Sequence, residues 1–568
     1  MNNKIIKNQL YKIPCSLLSN LYLKVQCVPF NNIPFNFSLV NHNPPIADLL
    51  DCIDSSERTH ELFARLIKNN TEQRGILYTS KADIVGFKNP EELAEKYNNV
   101  LYHRHQYARI EIFKNHFYIK EYDENVYEII YKLKKYAESG IKNYTHSVDL
   151  WMKNSGLIID CDEKKNALRN LFKNSKVAFI YGAAGTGKST MINYISSLFK
   201  DKQKIFLANT NPAVENLRRK VTAEHAEFVT ITKFLSKDVS NDCDILCLDE
   251  CSTISNRDMV RVLQRAQCKL LVLVGDIYQI ESILFGNWFN IAYKVMPKDS
   301  VAELTRPHRT TVQGLIEVWN KVREITEDRL EFITRNGLSS TLDESIFSRT
   351  EEDEIVLCLN YDGIYGINNI NKFLQSNNVN PSINWGVLSY KVGDPVLFNE
   401  SNRFAPLVYN NLKGKILQIE EEEDCIYFTI EVYTVLNELD VIGFDLELKE
   451  SVTDETSVIR FKVGRGGDGN DDNDNVENVV PFQVAYAISI HKAQGLEYES
   501  VKVVITSEIE EMVSHNIFYT AITRAKSKLK IYWSPETEKR ILENMKVQFN
   551  DKDYQLFKAK YKEALLKS

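Results

Sequence analysis

The stretch Gly182-Ala183-Ala184-Gly185-Thr186-Gly187-Lys188-Ser189 constrains this chain more than any other. It fits the spacing G-x-x-x-x-G-K-[ST]. The apolar run Val177–Ile180 precedes it, and Met191–Phe199, with helical spacing, follows it. A strand–loop–helix unit satisfies both flanks. Glycines permit the turn, loop N–H groups converge inward, and the helix N-terminus adds its positive end. Such a cradle suits phosphates. Gly182 to Thr190 are therefore the expected nucleotide contacts. Lys188 is directed to the β and γ phosphates and Ser189 to Mg²⁺.

Further apolar runs of strand length lie at Ile205–Ala208, Ile245–Leu248, Leu270–Val274, Ile355–Leu359 and Val501–Thr506. Helical stretches lie between most of them, so the chain reads as α/β with parallel sheets. Ile245–Leu248 runs into Asp249-Glu250. A carboxylate at such a strand end can hold Mg²⁺, here Asp249, and its neighbour Glu250 can act as general base on a water. Between Trp385 and about Val476 the pattern changes to short alternating β segments. They end in the glycine- and asparagine-rich tract Gly464–Asn475, read as a polar loop. Arg109–Tyr122 alternates like a strand, Asn125–Glu138 reads as a helix, and Glu536–Lys567 as one charged helix or two. His103 and His105, taken as strand neighbours, would share a face as a solvated or packed pair.

The chain has 568 residues, enough for several domains at roughly 100–200 residues each. No apolar run reaches the roughly 18–20 residues a membrane helix needs. The first twelve residues carry no secretory pattern, so the cytoplasm is the expected location. Ten cysteines scattered along the chain suggest reduced thiols. Cys243, Cys247 and Cys251 are read as buried thiols, because four strand residues span about 13 Å and cannot place three sulfurs around one zinc. The net charge of −7 does not favour nucleic acid, but the local charge of a cleft decides that question.

Taken in order, the motifs resemble the superfamily 1 helicases, and most closely the 1B branch typified by RecD and phage Dda. Ala208–Ala213 resembles the element that touches the nucleic-acid backbone, through Thr210 and Asn211. Thr230-Ile231 resembles a second such element, with Thr232 where histidine is usual. Gly275-Asp276-Ile277-Tyr278-Gln279 is similar to the family's γ-phosphate sensor, which gives that role to Gln279. Leu304–Arg309 resembles the motif that supplies one arginine, Arg309. Ala487–Gly495 resembles the next, with His491 and Gln494 toward the strand and Gly495 toward the nucleotide. Tyr519–Ala525 is similar to the last, with Arg524 as arginine finger. Val392–Val396 followed by Asn411–Gly414 resembles an SH3-like module that grips the translocating strand.

The resemblance implies a RecA-like ATP-binding domain at 151–310 and a second RecA-like domain at 311–385 and 476–540. An SH3-like β insert occupies 386–475, a C-terminal helix 541–568, and an α+β accessory domain 1–150. It implies ATP and Mg²⁺ as cofactors and movement on single-stranded DNA, 5′→3′, with duplex unwinding. An RNA helicase or ribonucleoprotein remodeller stays open as an alternative. So does a nucleotide-switched binding module that turns over slowly and signals to a protein partner through residues 1–150. A guanidinium aimed at the transferring phosphoryl group is worth about 10³–10⁵ in rate. If Arg309 and Arg524 come from the second domain, hydrolysis requires the two to close. In two places the chain departs from the pattern. Lys164, three residues before Ala167, stands where the family carries a glutamine that reads adenine, so GTP is open beside ATP. The short stretch from Leu235 to Ile245 leaves room for only a minimal strand-splitting element, unless residues 1–150 supply one.

Overall fold

Two parallel sheets frame the molecule. The computed structural model describes residues 59–562, apart from 102, 237–240, 281–284, 307–309, 387, 400–402, 406, 452, 465–477 and 546–550. Arg309 and the polar tract from 465 on therefore lie outside the described residues.

The first sheet runs in the order Ala226–Thr230, Lys204–Ala208, Asp242–Leu248, Gln267–Gly275, Val177–Gly182, Val301–Leu304, every pairing parallel. Both faces are covered, which is why its central strands read as unbroken apolar runs. Alternate residues feed two cores. Phe179, Leu207, Leu246 and Leu273 enter one; Ile180, Phe206, Ile245 and Val274 enter the other. Each such side chain contributes roughly 1.5–3 kcal/mol by burial. Cys243 and Cys251 belong to the first core and Cys247 to the second, so the three buried thiols do not face one point.

The second sheet is also all parallel, in the order Ser339–Ser340, Ala525–Tyr532, Tyr498–Val504, Glu354–Cys358, Ala487–Ser489. A six-stranded antiparallel sheet, built from Pro395–Phe398, Lys413–Glu421, Cys425–Val432, Glu447–Lys449, Ser457–Gly464 and Phe482–Val484, occupies the insert. Its edge strand Phe482–Val484 extends it past residue 475 and pairs with Pro395–Phe398. Between the helix Ile231–Leu235 and the strand Asp242–Leu248 only residues 236–241 intervene, too few for an inserted module.

Residues 59–137 differ from the sequence expectation. Arg109–Tyr122 is not one strand: Ile110–Phe113 and His116–Ile119 form a hairpin. Its turn residues Lys114 and Asn115 have φ of 46° and 61°, which reverses the chain in two residues. The helix Lys120–Ala137 then begins at once. Its Val126, Ile129, Ile130 and Leu133 enter the first sheet's core, which fixes this region to the first lobe. His103 and His105 lie in a short 3-10 segment, His103–Ala108, not on a strand, so strand alternation does not place them on one face. Among the described residues after 534 lie two helices, Pro535–Asn544 and Asp551–Lys560. The second returns to the N-terminal region. Its Asp553 carboxylate accepts the N–H groups of Leu77 (2.7 Å) and Tyr78 (3.0 Å). No helix among the described residues is long and apolar enough to cross a membrane.

Candidate nucleotide site at the seam between two lobes

The phosphate loop leaves the central strand Val177–Gly182 and enters the helix Lys188–Leu198. Gly187 caps that helix at φ 85°, with no side chain competing for the first-turn N–H groups. That left-handed backbone favours glycine, and a Cβ there would stand 2.5 Å from the Lys164 ammonium, which would have to shift. Lys188 Nζ donates to the carbonyls of Gly182 (2.8 Å) and Ala183 (2.9 Å), which aims it along the loop. Thr186 is buried and donates to Ala183 O at 3.0 Å.

The neighbouring strand Asp242–Leu248 delivers Asp249 and Glu250 to the same end of the sheet. Glu250 has φ 51°, left-handed backbone that costs a non-glycine residue about 1 kcal/mol or more and recurs at functional sites. Its N–H donates to Asp249 Oδ1 at 2.9 Å, and its Oε2 is enclosed without a hydrogen-bond partner. Burial and the adjacent Asp249 charge push Glu250 up to about 7, against the pull of Arg524, Lys188 and Lys220. Burial raises Asp249 as well, opposed by the Glu250 N–H and Lys188. The strand Gln267–Gly275 supplies Asp276 and Gln279, both buried.

The second lobe closes the cavity. Arg524, 3% exposed, follows the helix His515–Ile522. Its guanidinium donates to the carbonyls of Thr520 (3.0 Å) and Leu496 (3.2 Å). It lines one cavity together with Ala184, Lys188, Ser189, Asp249, Glu250, Gln279 and Gly495. Contacts across the seam hold the lobes in register. Ile280 N–H donates to Thr520 Oγ1 (2.9 Å), Asn216 Nδ2 donates to Gly495 O (2.6 Å), and Lys220 pairs with Glu497 (3.7 Å). Asn216, Lys220, Asp276 and Glu497 line the cavity too. No local pattern marks the first two or Glu497, because each gains its place only through the seam. Lys164 is fully buried: its ammonium donates to Asp160 Oδ2 at 2.5 Å and packs under Gly187. Buried there, it underpins the loop.

The expected nucleic-acid residues divide. Asn211 and Thr230 line a groove between the first lobe and the β insert, with Arg218, Phe228 and Lys233 on one wall and Tyr409 and Thr434 on the other. The hydroxyls of Thr210 and Thr230 cap helices, accepting from Ala213 N (3.4 Å) and Lys233 N (3.3 Å). His491 and Gln494 lie outside that groove, in the turn between Ser489 and Gly495. His491 is exposed and Gln494 is half-buried.

A phosphate loop, an acidic strand end and an arginine from a second parallel-sheet lobe define a two-lobed P-loop nucleotide-binding protein. Comparison with known proteins agrees. A family described as "AAA domain" matches residues 161–343, and a "UvrD-like helicase C-terminal domain" matches residues 484–532. The uncharacterized protein MJ1519 of Methanocaldococcus jannaschii is 24% identical over 65% of this chain, a region that is 37% of that protein's length. The RecBCD enzyme subunit RecD of Buchnera aphidicola subsp. Schizaphis graminum is 23% identical, covering 68% of this chain and 78% of its own. The ATP-dependent DNA helicase Pif1 of Campylobacter jejuni is 23% identical, covering 62% and 88%. Over about two-thirds of its length the chain is thus similar to RecD and Pif1 proteins, with a helicase C-terminal domain matched at residues 484–532.

Proposed function

We propose that this chain is an ATP-dependent helicase that moves 5′→3′ on single-stranded DNA in the cytoplasm and separates duplexes as it goes. One observation supports it above the rest: Lys188 and Arg524, from opposite lobes, line a single cavity with Asp249, Glu250 and Gln279. The cavity is complete only when the lobes meet, so hydrolysis and lobe movement are the same event.

The chemistry follows from the residues present. Lys188 and the loop N–H groups bind the β and γ phosphates. Gln279 orients at the γ end. Glu250, enclosed and poised near neutrality, takes the proton of the attacking water as the bond to the leaving ADP breaks. Lys188 and Arg524 neutralise the charge that spreads over the phosphoryl oxygens. Ser189 and Asp249 share the cavity, and two protein oxygens beside a phosphate site are a donor set that suits Mg²⁺. The ion would supply charge neutralisation and orientation to the triphosphate. The groove at Asn211, Thr230 and Tyr409 would carry the strand, with cations for phosphates and aromatic rings for bases.

Glu250→Gln is expected to bind nucleotide normally and to lose about 10²-fold in turnover, the usual share of a general base. Retention of full turnover would remove Glu250 from that role. The whole reading is tested by strand displacement on duplexes with 5′ or 3′ tails, of DNA and of RNA, with and without ATP. Unwinding confined to 5′-tailed DNA is expected. Unwinding from 3′ tails alone would reverse the direction, preference for RNA would change the substrate, and nucleotide binding without displacement would leave a nucleotide-switched module.

A further inference from the structure

The seam holds an arginine to which the hydrolytic cycle assigns no task. Arg323 lies on the helix Gln313–Glu324, whose Leu315, Val318, Trp319 and Val322 are buried in the second lobe's core. From there it reaches across to the first lobe. Its guanidinium lies over the Tyr278 ring, 4.7 Å from the centroid, and pairs with Glu303 at 3.3 Å. Its Nε, however, is buried without a hydrogen-bond partner. A complementary orphan faces the seam from the other side. Asp276 is 2% exposed; its Oδ1 accepts the Tyr278 N–H at 3.1 Å, while its Oδ2 is buried without a partner. Unmatched buried donors and acceptors are costly, and charged ones more so, so the two have every reason to meet. Burial disfavours the Arg323 charge, and Asp276 is the leading group that favours it.

The turn carrying Asp276 serves two masters. Asp276 and Gln279 line the nucleotide cavity. Tyr278 packs against the cores of both lobes, and Ile280 is buried in that of the second. A pull on this turn from the second lobe therefore moves groups at the γ end of the site.

We propose that Arg323 is a positioning residue: when a triphosphate draws the lobes together, Arg323 Nε donates to Asp276 Oδ2 and holds Gln279 against the terminal phosphate. The inference rests on the ATPase reading above. It makes the site discriminate triphosphate from diphosphate through a contact that touches neither.

Arg323→Met keeps an unbranched apolar side chain at the seam and removes the guanidinium, its Nε–H donor included. It is expected to weaken binding of a non-hydrolysable ATP analogue about 10-fold, to leave ADP binding within about twofold, and to cut stimulation of ATPase by single-stranded DNA about 10-fold. Thermal melting reports the fold alongside. Arg323→Lys, with the charge but not the Nε–H, is expected to lose about threefold in the triphosphate-to-diphosphate affinity ratio, and it decides the question by that ratio if the methionine variant does not fold. Glu303→Gln breaks the other arm and is expected to keep the wild-type ratio. An unchanged ratio and stimulation in Arg323→Met, or an equal loss in Glu303→Gln, would overturn the proposal and leave Arg323 as packing. Absence of ATP turnover in the wild-type chain would instead overturn the ATPase reading, and the proposal with it.

Discussion

Alanine at position 524 is expected to lower kcat for ATP by about 10³-fold or more, with nucleotide affinity changed only several-fold. The geometry sets that split. The loop N–H groups, Lys188 and Ser189 all belong to the first lobe and remain intact, so the ground state keeps its contacts. Among the described residues Arg524 is the second-lobe cation that lines the cavity, and the carbonyls of Thr520 and Leu496 accept from its guanidinium. Such contacts are neutral acceptors that a more negative partner displaces readily. What is lost is stabilisation made only as charge moves onto the γ oxygens, and that appears in kcat. Steady-state hydrolysis at saturating single-stranded DNA, set beside equilibrium binding of ADP, measures both. An R524A protein with a tenth of the normal kcat would show that closure of the lobes is not what completes the site.

What the sequence disclosed depended on how local each device is. The phosphate loop was legible because eight contiguous residues and their two flanks carry the whole instruction, and Asp249-Glu250 because a strand end is a local event. The left-handed backbone at Glu250 was not, since nothing in its own side chain asks for φ of 51°; the surrounding strand and loop impose it. The hairpin at Ile110–Ile119 reads as one strand in sequence because alternation continues through Lys114-Asn115, and only the turn chemistry of asparagine hints at the reversal. Counting along the chain puts Lys164 where the resemblance expects a base-reading glutamine. The structure buries its ammonium beneath Gly187, a fact that depends on the loop's shape and not on spacing. Residues such as Lys220, Arg323 and Glu497 are ordinary surface-type charges in sequence. Their partners lie tens to hundreds of positions away, and only assembly of the lobes makes them neighbours.

Lys188→Ala is the second large effect, expected to lower kcat/KM for ATP by about 10³-fold or more, and for a different reason. Lys188 Nζ donates to two carbonyls of its own loop, which limits the ordering its ammonium needs at the site. It also lies close enough to both carboxylates to favour their charged forms. Alanine therefore removes a phosphate contact and, at the same stroke, leaves Asp249 and Glu250 more inclined to hold protons, which disarms the base. Both losses fall on binding and on chemistry together, so KM rises as kcat falls, unlike the clean kcat loss at position 524. Lys188→Arg should fail nearly as badly, because a planar guanidinium cannot occupy the narrow space over Gly182 and Ala183 that a compact ammonium fits. Thermal melting of both variants should stay near wild type, since the contacts of the Lys188 ammonium are to carbonyls of its own loop. Normal hydrolysis by Lys188→Ala would mean that the triphosphate is cleaved somewhere other than this loop, and no arrangement of the two lobes would rescue the assignment.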